Sequence, residues 1–276
     1  MSMFEIATAS AADVRLFSEW AADEQWNPGD SDALAFAAAD PAGFFVGRLN
    51  GEPIASVSGV RYGNDFGFLG LYIVRSSERG KGYGIQLWRR VMEHFGARNV
   101  ALDGVVDQQA NYRKSGFRHA YNHIRHEGVP APVTTDLTLV DARTIPFDQL
   151  AAYDRRFFPA PRDAFLALWV GLPEHRSLVA VRDGELEGFA VRRPSRTGAR
   201  IGPIYAASDE IAAALISGLA EGESIAVDVP DLNAPAMKLA ERLGLVPTFE
   251  CARMYTGAVP DVDQNGIFAT TTLELG

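Results

Sequence analysis

Arg79-Gly80-Lys81-Gly82-Tyr83-Gly84 decides how the rest of the chain is read. It follows a strongly apolar run, Phe68-Leu69-Gly70-Leu71-Tyr72-Ile73-Val74. It precedes a segment in which Ile85, Trp88, Met92 and Phe95 recur at three- and four-residue steps, with Gln86, Arg89, Arg90 and Glu93 mostly on the other side. That order spells strand, glycine-rich turn, helix. A helix start exposes unpaired backbone N–H groups and partial positive charge, which suits a phosphate or diphosphate. Gly80, Gly82 and Gly84 let the main chain close on an anion with no Cβ in the way, and Arg75, Arg79 and Lys81 add positive charge around it.

Two nucleotide readings of this turn fail. A nucleoside-triphosphate loop needs Ser or Thr after Gly-Lys, but Gly82 follows Lys81; a dinucleotide fingerprint needs glycine three places after Gly82, where Ile85 stands. The pattern that fits is Arg/Gln-x-x-Gly-x-Gly/Ala, carried by Arg79, Gly82 and Gly84. In these residues the chain resembles the GNAT superfamily of N-acetyltransferases. The resemblance implies that Arg75 and the loop Arg79, Gly80, Lys81, Gly82, Tyr83, Gly84 and Ile85 hold the diphosphate of acetyl-coenzyme A, and that Ile73 and Val74 pair with its pantetheine arm. A second match is Asn111-Tyr112-Arg113-Lys114-Ser115-Gly116-Phe117, where Tyr112 falls at the family's general-acid position and Asn111 joins the coenzyme contacts. A phenol with a reference pKa of about 10 is suited to protonate a departing alkyl thiolate.

With 276 residues the chain has room for two such units, and 47% apolar and 22% charged residues are those of a globular protein. A net charge of −9, from 35 acidic and 26 basic side chains, disfavours nucleic-acid and anionic-membrane partners and favours a cationic amine. No run reaches the ~20 apolar residues of a membrane span, and the first residues carry no secretory pattern, so the expectation is a cytoplasmic protein. Cys251 is the single cysteine, which excludes an intramolecular disulfide and a thiolate metal cluster and reads as a buried structural thiol.

An order of elements occurs twice. The first half gives a strand from Glu5, helices over Ala12 to Trp26 and Asp32 to Ala39, and a hairpin turning at Asn50-Gly51. After the Pro-rich Val129-Pro130-Ala131-Pro132 come a strand over Asp136 to Val140, helices around Phe147 to Phe158 and Ala164 to Val170, and a hairpin turning at Asp183-Gly184. The predicted architecture is α/β (α+β): tandem GNAT-like domains, each a mixed, mostly antiparallel sheet flanked by helices. The expected boundaries are a catalytic domain over 1–128, a linker over 129–133 and a degenerate domain over 134–276. Opposite the glycine loop the second half offers Ala207-Ser208-Asp209-Glu210, with two carboxylates where an anion would sit, and Ala240 stands at the Tyr112 position. The second unit is therefore expected to supply structure or part of the substrate pocket. Through Trp26-Asn27-Pro28-Gly29, Asp107-Gln108-Gln109-Ala110-Asn111-Tyr112 and Arg253-Met254-Tyr255-Thr256-Gly257 the sequence also resembles, almost end to end, a bacterial subgroup with a degenerate C-terminal GNAT-like domain.

The implied reaction is acetyl-CoA-dependent N-acetylation of a small-molecule primary amine by direct attack in a ternary complex, with acetyl-CoA as co-substrate and no metal. A backbone N–H near Ile73 or Val74 supports the thioester oxygen and Tyr112 protonates sulfur. The strand before the loop has no carboxylate, leaving Asp103 or Glu24 acting through water, or an amine that binds already neutral. Trp26 and Asn27 are the expected substrate contacts, although a cap before the Pro28-Gly29 turn explains Asn27 equally well. His119 and His123 are expected on one face of a strand and His126 on the other, so three histidines do not converge on a metal. Two other readings stand: a coenzyme-binding sensor or scaffold without turnover, and a protein or peptide amine acetyltransferase. No oligomer is predicted.

Overall fold

The computed structural model describes residues 3–276. The first half runs β1 (Phe4–Thr8), α1 (Ala11–Asp23), α2 (Asp32–Ala39), β2 (Phe44–Leu49), β3 (Glu52–Tyr62), β4 (Phe66–Val74), α3 (Tyr83–Phe95), β5 (Asn99–Val105), α4 (Gln109–Lys114) and β6 (Arg118–Gly128). The second repeats that order with β7 (Thr138–Asp141), α5 (Phe147–Asp154), α6 (Asp163–Gly171), β8 (Arg176–Arg182), β9 (Glu185–Pro194), β10 (Ala199–Ala206), α7 (Asp209–Ala220), β11 (Ile225–Pro230), α8 (Ala234–Arg242) and β12 (Val246–Tyr255). A short β13 (Ile267–Ala269) follows.

Local chemistry accounts for the repeated elements. Asn50 (φ 51°) with Gly51 (φ 90°) turns β2 into β3, and Asp183 (φ 52°) with Gly184 (φ 84°) turns β8 into β9, each pair taking the positive φ values that match the strands' twist. Ser10 and Asp13 cap α1 reciprocally, and α1 ends at Asp23, three residues short of the expected Trp26. In α3 the buried seam is Leu87, Trp88, Val91 and Phe95. Ile85, expected on that seam, is instead 49% exposed and lines the cavity described below.

The two halves share one sheet, in the order β1-β2-β3-β4-β5-β12-β6-β11-β10-β9-β8-β7, with β13 pairing β10 off this path. Both halves have an antiparallel run ending in one parallel step, β4 with β5 and β10 with β11. At the centre the halves exchange strands: β12 lies between β5 and β6, while β6 lies between β12 and β11. Neither half completes its sheet without the other's last strand.

Buried charges also join the halves. Asp32 of α2 receives Arg193 of β9, while Asp228 of β11 receives Arg125 of β6 (2.8 Å) and Arg200 of β10. Arg125 further donates to the Trp26 carbonyl at 2.8 Å. Burial alone would raise the Asp228 pKa, but Arg125 and Arg200 outweigh it and hold the carboxylate ionised well below the usual range.

The β6 histidines part company with simple alternation. Between Tyr121 and His119, two residues of β6 span one step of β12, so His119 and His123 do not share a face as expected. His119 is exposed and bonds Asn122, whereas His123 is buried against Asp103 at 3.0 Å and His126 packs within the sheet.

Candidate active site

β4 and β5 pair in parallel only from Phe66 with Asn99 to Leu69 with Leu102. Past that point β4 bulges, with its register against β3 shifting between Ser58 and Ser56 and Leu71 at φ 47°. Meanwhile β5 continues from Asp103 to Val105 against β12. The strands splay apart and leave the far edge of β4 unpaired. A cavity of about 730 Å³ opens there, lined by Leu69 to Val74, the glycine loop, Trp88, Tyr112, Phe249 and Glu274 among others.

The loop stands at its mouth. Gly80 (φ 78°) and Gly82 (φ 86°) lie in the left-handed region, and a Cβ at either would point into open space. Gly82 is the N-cap of α3 and no side chain caps that helix start, so its first amides are free to bind an anion. Arg79 is held across the cleft, donating to the Val74 carbonyl at 2.8 Å and pairing with Glu24. Of the residues expected to contact coenzyme, Ile73, Val74, Arg79, Gly80, Gly82, Tyr83, Gly84, Ile85 and Asn111 line the cavity. Arg75 and Lys81 do not; Lys81 is paired with Glu78 at 3.1 Å.

Tyr112 enters from α4. Its ring stacks on Trp88 at 5.7 Å between centroids and lies on Gly104 of β5, where any Cβ would collide with it. The hydroxyl makes no hydrogen bond among the described residues and the side chain lines the cavity. Burial, reinforced by nearby Tyr72, pushes its pKa up to about 12, so the phenol stays protonated at working pH. Gly104 was invisible as a site residue, since nothing in sequence marks which ring will lie over it.

The two carboxylates proposed from sequence as bases are engaged elsewhere. Asp103 is sealed from solvent and bridges Arg253 (2.7 Å) and His123 (3.0 Å). Burial would raise its pKa, but Arg253 and then His123 hold it below the ordinary value, which makes it a poor proton acceptor. Asp103, His123 and Cys251 lie together, yet the Arg253 guanidinium already occupies the carboxylate and burial pushes the Cys251 thiol well up, the wrong direction for a thiolate ligand. Glu24 pairs with Arg79. Trp26, expected as a substrate contact, lines the cavity. Asn27 does not: it is buried, donates to Ser195 Oγ and the Thr197 carbonyl, each at 3.1 Å, and clamps the second half to the first.

The corresponding cleft of the second half is closed. β10 and β11 pair only at Ala199 and Arg200, then part, but β13 adds to β10 at Ile204 and Tyr205 and fills the gap. A Cβ on Gly202 would come within 2.5 Å of the Thr270 carbonyl oxygen. Ser208 caps α7 through the Ile211 amide, and Asp209 and Glu210 occupy its first turn, where an anion would be repelled. The chain after β13 then crosses to the first cleft, where the Glu274 carbonyl packs against Gly70 so closely that a Cβ there would collide with it. Glu274 is a site residue that sequence reasoning missed.

Comparison with known proteins agrees with this architecture. A family model described as "Acetyltransferase (GNAT) family" matches residues 10–117, and one described as "Acetyltransferase (GNAT) domain" matches residues 150–269. The chain is similar to a holothin acyltransferase of Pseudoalteromonas sp. (strain SANK 73390), with 32% identity over 97% of this chain and 93% of the relative. In fold it is similar to a putative acetyltransferase of Pyrococcus horikoshii, with a TM-score of 0.85 at 21% identity, covering 99% of this chain and 96% of that one. It is also similar to a tandem GNAT protein from the clavulanic acid biosynthesis pathway, with a TM-score of 0.64 at 15% identity over 93% of this chain and 100% of that one. The chain belongs to the GNAT acetyltransferase family, as a tandem member of the acyltransferase class. No helix among the described residues is long and apolar enough to cross a membrane.

Proposed function

We propose that the chain is an acetyl-CoA-dependent N-acetyltransferase that moves the acetyl group to a primary amine of a small molecule by direct attack in a ternary complex. One observation carries the reading: an uncapped, glycine-opened helix start and an unbonded Tyr112 line the same cavity. Residues 1–128 are the catalytic unit and 134–276 the degenerate one, which contributes β12 and part of the cavity wall. The amides at Gly82 to Ile85 receive the diphosphate and Arg79 leaves Glu24 to join it.

The Arg75 amide donates to Ile54 of β3 at 2.9 Å, so alternation along β4 turns the Val74 amide, rather than that of Ile73, toward the cleft. Val74 pairs with the pantetheine arm, and an amide nearer the bulge supports the thioester oxygen as charge develops. The amine attacks the carbonyl carbon, the C–S bond breaks, and Tyr112 gives its proton to sulfur. Trp26, with Phe249, Leu273 and Glu274 from the second half, bounds the acceptor side. A pocket of about 730 Å³ bounded by residues of both halves suits a small acceptor, and the relative named for holothin supports that reading. The setting is expected to be cytoplasmic.

The reading is tested by following thiol release from acetyl-CoA with holothin, aniline, tryptamine and lysine as acceptors. Turnover with at least one, and product mass raised by one acetyl group, is the expected result. Tight acetyl-CoA binding with no transfer to any amine would instead make the chain a coenzyme sensor.

A further inference from the structure

Four acidic residues border the cavity: Glu24, Glu78, Asp103 and Glu274. Three have partners: Arg79 for Glu24, Lys81 for Glu78, and for Asp103 the Arg253 guanidinium together with the His123 ring. Glu274 has neither an ion pair nor a side-chain hydrogen bond among the described residues, although the residue is only 6% exposed. Its main chain is fixed. Thr272 Oγ1 accepts from the amides of Glu274 (3.2 Å) and Leu275 (2.9 Å), the Leu275 carbonyl accepts from Tyr62 Oη at 3.0 Å, and Leu275 is fully buried. The Glu274 backbone lies on Gly70, at the bulge where β4 and β5 part.

We propose that Glu274, delivered by the segment that plugs the second half's cleft, is the general base of the first half's active site. This role rests on the acetyltransferase reading above. As the acceptor nitrogen of a neutral amine bonds to the thioester carbon, Glu274 takes one proton from that nitrogen. The C–S bond then breaks and Tyr112 gives one proton to sulfur. Glu274 afterwards releases its proton to solvent and Tyr112 regains one, so the exchange balances with no further reactant.

The surroundings suit a base. Burial raises the Glu274 pKa; Arg200 opposes that rise, Asp32 adds to it, and Arg193 and Arg125 oppose it. Asp228 and His175 belong to the same buried group through their pairings with Arg125, Arg200 and Asp32. Three arginines face two aspartates there, so an ionised Glu274 brings the arginine–carboxylate count level. A carboxylate whose pKa is raised takes a proton from nitrogen more readily than Asp103, which is held low.

The test is the pH dependence of kcat/KM, referred to the neutral form of whichever amine of the panel wild type acetylates so that the amine's own ionisation is divided out, alongside acetyl-CoA calorimetry. Wild type is expected to show an acidic limb of unit slope, because the base must be ionised. Glu274→Gln should lower kcat by about a hundredfold or more and lose that limb, while binding acetyl-CoA within about threefold of wild type. Glu274→Asp should recover about tenfold over the glutamine variant and keep the limb. A wild-type profile without the limb overturns the role even if Glu274→Gln fails to fold, as does a folded Glu274→Gln that keeps both rate and limb. Wild type that binds acetyl-CoA and transfers to no amine sinks the parent reading and this role together, whereas active wild type with an indifferent Glu274→Gln sinks this role alone.

Discussion

Replacing Tyr112 by phenylalanine removes one hydroxyl and little else. The ring keeps its stack on Trp88, its edge contact with Phe117 and its seat on Gly104. Because the lost hydroxyl has no hydrogen-bond partner, the stability change should be within about 0.5 kcal/mol, or about 2 °C in Tm. A positioned general acid contributes about 10²–10⁴ in rate, so kcat should fall by that factor, equivalent to about 2.7–5.4 kcal/mol of barrier. The acetyl-CoA Kd should stay within about threefold, since the diphosphate and pantetheine contacts are untouched. Thiol-release kinetics with an accepted amine, paired with calorimetry, separate the two quantities. The acid must be protonated to act, and burial has pushed its pKa up to about 12, so Tyr112 should give no falling limb below about pH 11 in kcat/KM. A variant within about threefold of wild-type kcat, or one whose rate loss equals its loss of coenzyme affinity, would refute the assignment.

Gly104→Val pushes a side chain into the Tyr112 ring and should lower kcat by about 10–10², with acetyl-CoA affinity nearly unchanged by calorimetry; equal loss of both would mean that the ring shapes the coenzyme seat. Asp228→Asn strips the counter-charge from buried Arg125 and Arg200 and should cost about 3–5 kcal/mol in denaturant melts at pH 7. Its folded pKa is depressed, so the wild-type advantage should be full above the unfolded carboxylate value of about 3.9 and shrink as pH falls below that value toward the folded one. A gap that widened on acidification would contradict this sign.

The elements that sequence made legible are those specified by adjacent residues. Asn50-Gly51 and Asp183-Gly184 fix their hairpins through two φ values, and Arg79 to Gly84 fixes a nest through glycines next to a helical repeat. The reciprocal placement of β6 and β12 was not legible, because either strand has the same two-residue period wherever it docks. The bulge after His119 was hidden for a related reason: it depends on the partner strand's register and leaves no mark in β6 itself. Asp103 looked like a base until the fold brought Arg253, distant in sequence, onto its carboxylate. Glu274 lies more than 160 residues from Tyr112, in a segment with no helical or strand pattern, and joins the site only because β13 occupies the other cleft.

The central claim is that one cleft per chain, between β4 and β5, receives an acyl carrier's diphosphate at Gly80 to Gly84 while the second cleft is blocked by β13. Calorimetric titration of wild type and Gly82→Val with acetyl-CoA tests it most directly. The expected stoichiometry is one per chain, with binding weakened about tenfold or more in the variant, where a Cβ enters the anion seat at a positive φ. Absence of binding by wild type, a stoichiometry of two, or a Gly82→Val variant that binds as wild type does would contradict it.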